Sequence, residues 1–361
     1  MNKIKLLAAS MLLLASGAMA QSEISNYQPG VTPEGAVYYL PKTALRFTVY
    51  VEKTSYTPGD FCKYADRYLR LNEVGQEPTV DYKVLKVGVS AYGEADKRKA
   101  YAVKYNAKSV AANVKLADDG RLLAINTDNK DNKNEPAPFV PARRPAPVDP
   151  HKYLNEDILS AGSTAKMAEL TAQDIYEIRD SKNQLNRGEA DFMPKDGEQL
   201  RIMLNNLDLQ DRMMTQLFSG TVRKDTTVYT FVVCPEGEVS KQVLFRLSRQ
   251  LGVVDKDDLS GAPYYLSVAD LHSLPEAPAV AEEPKKKKKN EDTGIFVNIP
   301  GKVRVTVFDG AEKLSETDMM AGQFGKVELL SAELFNKRAT TRLMLNPVTG
   351  AVDRLDAELP K

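Results

Sequence analysis

The sequence predicts an α+β fold in which two β-rich, mainly antiparallel modules flank a helical hairpin. Three observations carry this. Leu45, Phe47, Val49 and Val51 alternate with Arg46, Thr48, Tyr50 and Glu52, the period-two pattern of a strand with one buried face. Between residues 163 and 218 the apolar spacing changes to three and four, which places those side chains on one side of a helix. Beyond residue 220 the alternation returns and persists almost to the end.

The elements follow in order. Residues 1–20, MNKIKLLAASMLLLASGAMA, have a basic start at Lys3 and Lys5, an apolar middle and a small-x-small ending, the composition of a cleaved secretory signal. The apolar run is shorter than the roughly 20 residues that span a bilayer, and the first cysteine is Cys62. The expectation is an exported protein, periplasmic or outer-membrane associated, that is not a lipoprotein and has no transmembrane segment in its mature chain.

Residues 21–125 form the N-terminal β-rich module. After the alternating strand, Thr57-Pro58-Gly59 turns into a short helix over 60–71, with Phe61, Tyr64, Ala65, Tyr68 and Leu69 inward. Strands are predicted over 82–89 and 100–105, and a hairpin over 114–125 with Gly120 in its turn. Residues 126–150 carry six prolines in their last fifteen positions, a density that forbids helix and sheet and predicts a linker or surface loop. Residues 151–220 are the helical hairpin. Its first helix, 163–187, carries Met167, Leu170, Ile175 and Ile178 on one face and stops at Gly188. Its second carries Leu200, Met203, Leu204, Leu207, Met214, Leu217 and Phe218 and stops at Gly220. Such a Met-rich stripe packs into a core or receives a partner.

The C-terminal β-rich module, 221–361, has predicted strands over 227–233, 242–248, 303–308 and 326–330, and a closing hairpin over 343–355 with Gly350 in its turn. A Lys/Glu/Pro-rich loop occupies 275–293; its five lysines, 285–289, are offset by five acids, which describes a solvated segment. Two echoes run through the chain. GAVYYLPKTAL at 35–45 recurs as GAPYYLSVADL at 261–271, yet GIFVNIPGKVRVTVF at 294–308 matches the first stretch better in its order of elements. The reading is two related β-modules whose strands at 35–49 and 294–307 hold equivalent places, with Tyr264 and Tyr265 packed elsewhere.

Chemistry is sparse. Removing the signal leaves 47 basic residues against 49 acidic, a balance with no general attraction for nucleic acid. The two cysteines, Cys62 and Cys234, have 171 residues between them and are read as separately buried thiols, with a disulfide as the alternative. His151 and His272 are the only histidines, and no Cys/His spacing suits a metal. The acidic stretch 128–135 lacks the central glycine of a calcium loop. Ser163-Thr164-Ala165-Lys166 matches S-x-x-K and Ser181-Lys182-Asn183 its S-x-N companion, but no K-T-G follows, and Ser163 is read as a helix N-cap. Asp255, Asp257 and Asp258 form an acidic turn. No catalytic, cofactor-binding or metal-binding residue is assigned, and no cofactor is expected.

Tyrosine is uneven: eleven of sixteen precede residue 110. Tyr38, Tyr39, Tyr56 and Tyr92 are therefore the candidate interaction surface, since exposed, coplanar rings stack on sugars, whereas strand and core packing use the same residues otherwise.

The segments GAVYYLPKTALRFTVYVEKTSYTPGDFCKYADRYL, LFRLSRQLGVVDKDDLSGAPYYL, IPGKVRVTV, AGQFGKVELL and LNPVTGAVDRL together resemble an uncharacterised family of exported Gram-negative proteins, domain of unknown function 4831. The resemblance spans nearly the whole mature chain. It implies an envelope location, length variation at the two proline- or lysine-rich stretches, and no transferable functional residue.

Three functions remain on this reading. The first is a non-catalytic envelope protein acting through contacts with another envelope protein. The second is glycan binding through the four tyrosines. The third is a hydrolase with paired carboxylates about 5 to 9.5 Å apart in a cleft.

Overall fold

A computed structural model describes residues 23–26, 35–104, 113–131, 139–141, 148–194, 196–274, 294–310, 312–335 and 340–358. The predicted signal at 1–20, the lysine run 285–289 and most of the linker prolines lie outside the described residues. The chain opens with β1 (Glu23–Asn26) and β2 (Gly35–Thr57). A 3-10 turn (Cys62–Tyr64) and α1 (Ala65–Leu69) lead to β3 (Thr79–Lys104), and β4 (Val114–Leu116) and β5 (Leu122–Ile125) form a short hairpin. Then come α2 (Glu156–Leu159), α3 (Thr164–Arg187) and α4 (Gly197–Ser219). The rest is β6 (Thr221–Val233), β7 (Val239–Ser248), β8 (Gly252–Val254), β9 (Ala262–Asp270), β10 (Gly294–Asp309), β11 (Glu312–Ser331), β12 (Thr340–Leu345) and β13 (Val352–Glu358). All ladders between these strands are antiparallel, and the α+β class is the predicted one.

The helical hairpin has the predicted ends. Ser163 Oγ accepts the Lys166 N–H as an N-cap, and Gly188 closes α3 at φ 73°, a left-handed conformation that glycine adopts without penalty. Gly220 follows α4 at φ 75°.

Strand lengths and partners depart from the local reading. The separate strands expected over 82–89 and 100–105 are one, the 26-residue β3, and β11 likewise extends the strand expected over 326–330. The sheets run β1-β3-β2-β6, β11-β10-β9-β7-β8 and β13-β12-β5-β4. β6 therefore crosses from beyond the helices to pair with β2 from Leu45↔Val233 to Thr57↔Thr221. β5 likewise pairs with β12 at Leu343↔Ile125. The physical reason is that β3 fills only one edge of β2, and the remaining row of N–H and C=O groups takes a strand from later in the chain.

Three cores result. The first two sheets face each other through Phe47, Val49, Val51, Phe245, Leu266, Val303, Val305 and Val307, and Phe245 stacks on both Phe231 and Tyr264. The third sheet covers Tyr38, Leu40, Ile295, Val297, Leu343 and Leu345. The helices gather around Phe61, Ile158, Ile175, Leu217 and Phe218.

The better of the two sequence echoes is structural. In the β2–β3 hairpin the pairing jumps from Tyr39↔Ala100 to Pro41↔Ala95. In β10–β11 it jumps from Ile299↔Lys326 to Gly301↔Ala321. Both hairpins thus advance two residues on the first strand against five on the second, the step coming one residue later in the second hairpin. Each is followed by a short hairpin whose turn glycine has positive φ, 84° at Gly120 and 75° at Gly350. Tyr39 N donates to Gly120 O at 3.0 Å, and its counterpart Asn298 N donates to Gly350 O at 3.1 Å. Tyr264 and Tyr265 lie on β9, the strand beside β10.

Candidate functional site

The four tyrosines do not form one exposed row. Tyr38 is 0% exposed; its hydroxyl accepts the Phe296 N–H at 3.0 Å, and burial pushes its pKa up. Tyr39 is half-buried, with its ring edge against Gly120. Tyr56, at the far end of β2, donates its hydroxyl to Gly75 O at 2.8 Å and Ser219 O at 3.1 Å, tying the strand to the end of α4. Tyr92 lies between these ends; its ring carries the Arg46 guanidinium at 4.5 Å and its hydroxyl donates to Glu94 Oε1 at 3.0 Å. Desolvation first, then the Glu94 carboxylate, raise the Tyr92 pKa.

Around Tyr92 is a cluster of chemically capable side chains. Lys42 Nζ stands 3.7 Å from Glu94 Oε2, and the half-buried Cys234 thiol, raised in pKa mainly by burial, feels both. A thiol pushed upward is a poorer nucleophile at neutral pH. Cys62 and Cys234 are free and half-buried, not fully buried.

The sequence reading missed the joint where the two long hairpins cross. Thr43 is fully buried, past the point where β6 ends its ladder on β2. Gln323, in the β11 irregularity, supplies the missing partner: its Oε1 accepts Thr43 N–H and its Nε2 donates to Thr43 O, both at 2.8 Å. A side-chain amide thus takes the place of a neighbouring peptide group. Asn298, 1% exposed, donates Nδ2 to Pro41 O at 2.9 Å and Thr349 O at 2.8 Å. Arg121, 4% exposed, bonds Asp119, Asp131 and Pro347 O. Only the flanking glycines of AGQFG hinted at this; nothing marks Asn298 or Arg121 in sequence.

His151 forms a second joint at the surface. Its Nε2 lies 2.7 Å from Asp60 and its Nδ1 2.8 Å from Asp149, so its pKa is raised by Asp60 and then Asp149. The remaining candidates are structural in geometry. Lys166, in the S-x-x-K stretch, pairs with Glu169. Ser181 sits on the same helix as Ser163's cap. Asp258 Oδ1 accepts Ser260 N–H within the acidic turn. Among the described residues no group of three or more His, Cys, Asp or Glu side chains is placed to hold a metal, and no helix is long and apolar enough to cross a membrane.

The helical hairpin presents a different surface. Its buried residues are Ala168, Thr171, Ala172 and Ile175 on α3 and Met214, Leu217 and Phe218 on α4, with Leu185 alone in the outer halves. Met203, Leu204 and Leu207 of the stripe are only half-buried. At the outer end Phe192 is 73% and Ile202 51% exposed.

A family model described as a domain of unknown function (DUF4831) matches residues 34–353. No curated protein and no solved structure matches the chain.

Proposed function

The chain belongs to the family described as domain of unknown function DUF4831, and for it we propose an exported, non-catalytic role carried by protein–protein contacts in the cell envelope. The observation that supports this is the helical hairpin: anchored at one end in a core, it carries half-buried Met203, Leu204 and Leu207 and exposed Phe192 and Ile202 at the other. Exposed Phe192 on the connection and Ile202 on α4, beside half-buried Met203, suit an apolar partner surface. The leader-like residues 1–20 support export, and another envelope protein is the partner of this reading. The hydroxyls of Tyr38, Tyr56 and Tyr92 and the Asp258 carboxylate are engaged in packing and capping contacts, which favours the contact role over glycan binding or hydrolysis.

A photoreactive residue in place of Phe192, activated in intact cells, tests the proposal. An adduct with a second envelope protein is expected, and none from the same probe at exposed Leu259 on the β8–β9 turn. Adducts with this chain alone, or equal adducts from both positions, would overturn it.

A further inference from the structure

β6 ends the first sheet, where it pairs only with β2. Its ladder runs through 13 residues without a register shift, whereas β11, the longer end strand of the second sheet, is broken by two shifts against β10. β6 also holds no proline. Among the described residues no backbone hydrogen bond reaches its outer edge between Thr226 and Val233. The N–H and C=O groups on that edge are donors and acceptors for a further strand.

The two faces of β6 differ. Tyr229, Phe231 and Val233 lie toward the second sheet, only partly buried at the rim of the shared core, and Phe231 stacks on Phe245. Val228, Thr230 and Val232 alternate with them on the outward face, where Val232 is 50% exposed. Charge is ordered along the chain: Arg223 and Lys224 stand near the start of the strand, and Glu236 and Glu238 follow its end. Lys224 Nζ lies 3.0 Å from Glu52 and Glu236 Oε1 3.2 Å from Arg98. Both are members of exposed pairs, whose side chains are free to meet a second opposite charge.

We propose that β6 is a self-association edge: two copies pair β6 with β6, antiparallel about a twofold axis at Thr230, and join their four-stranded first sheets into one. The occupant is a second copy because the strand complements itself. About that axis Tyr229 meets Phe231 on the inward face and Val228 meets Val232 on the outward face, so aromatic and aliphatic cross-strand pairs form on both. The half-buried rings at the rim of each core thereby gain a cover. Lys224 comes beside Glu236 of the other copy, once on each side of the axis; a parallel, in-register pairing would set Lys224 beside Lys224. Such a contact uses the same patch on both copies and closes at two. It involves no residue of the helical hairpin and is separate from the contact proposed above.

Sedimentation velocity of the full mature protein over a concentration series tests this, and a reversible dimer is expected. Lys224→Glu and Glu236→Lys should each weaken dimerisation about tenfold, since each turns two attractive pairs into repulsive ones. An equimolar mixture of the two variants should restore it, because both pairs are then attractive again, a recovery that general loss of structure cannot produce. Thr230→Cys, with Cys62 and Cys234 replaced by serine, should form a disulfide-linked dimer on oxidation, whereas Leu259→Cys in the same background should not. A wild-type chain that stays monomeric, variants that fail to complement on mixing, or equal cross-linking from both cysteine positions would overturn the proposal. A photoreactive residue at Thr230 that joins a different envelope protein in intact cells would also overturn it, by giving the edge another occupant.

Discussion

In the first long hairpin the strand bends at Leu40 and Pro41, in the second at Pro300, and at each bend a backbone N–H reaches the turn glycine of the next hairpin. The side chains at this shared position differ. Tyr39 leans its ring on Gly120, whereas Asn298 is buried and donates to Pro41 O of the other hairpin. The second hairpin also provides Gln323, which binds Thr43 of the first. The two short hairpins are joined as well: Arg121, in the turn of the β4–β5 hairpin, reaches Pro347 O in the turn of the β12–β13 hairpin. A common backbone plan thus leaves the side chains free to specialise, and here they serve to join one copy to the other.

The largest expected asymmetry is in the shared core. Phe47→Ala should cost about 3–5 kcal/mol and Val305→Ala about 2 kcal/mol, because the lost volume differs although both sites are fully buried. Urea unfolding measures both; equal losses would show that the faces are not packed as equivalents. Next is the joint. Asn298→Ala or Gln323→Ala strands buried peptide groups and should cost about 1–3 kcal/mol each, while Tyr39→Ala costs less because that site is half open. A larger loss from Tyr39→Ala would place the joint in the wrong hairpin.

A smaller contrast concerns the two turn glycines. Each has positive φ, so alanine at either costs about 1–2 kcal/mol. Gly350→Ala should be the worse, since its Cβ would sit 2.7 Å from the Pro41 ring, against 3.0 Å from the movable Tyr39 ring at Gly120. Thermal melts of the two variants rank them directly.

The smallest effect is the pH response of His151, which ties Asp60 of the first module to the entry of the helices. Its folded pKa lies above the ordinary 6.5, so its stabilising effect is complete below that value and is lost as pH rises through the folded pKa. Asp149 is held below its ordinary 3.8, first by its hydrogen bond to the His151 ring, so its share is lost as pH falls through that lowered pKa. His151→Gln should flatten the stability profile between mildly acid and neutral pH. An unchanged slope would dismiss the clamp.

Much of the fold was legible because local rules governed it. Ser163, Gly188 and Gly220 set helix ends by capping chemistry, and Phe47 and Val49 declared a buried face by alternation. The strand partners were not legible. Alternation at 227–233 shows that a strand forms, while its pairing with β2 depends on which edge stays open once β3 has bound. The joint was hidden for a related reason: Asn298 and Gln323 are ordinary amides in sequence, and become structural only where two bends meet. Tyr38 looked like a surface candidate by composition, yet its hydroxyl has its partner at Phe296 inside the core.

The crossing of β6 to β2 also constrains how the chain acquires its structure as it is made. Leu45 waits for Val233, and Ile125 waits for Leu343, so neither sheet closes until distant residues have been synthesised. Contacts at such separation slow folding through the entropy of loop closure. The nascent first half carries an open strand edge throughout, the state in which chains aggregate or meet chaperones and proteases. Folding is therefore expected to finish only after nearly the entire polypeptide has emerged.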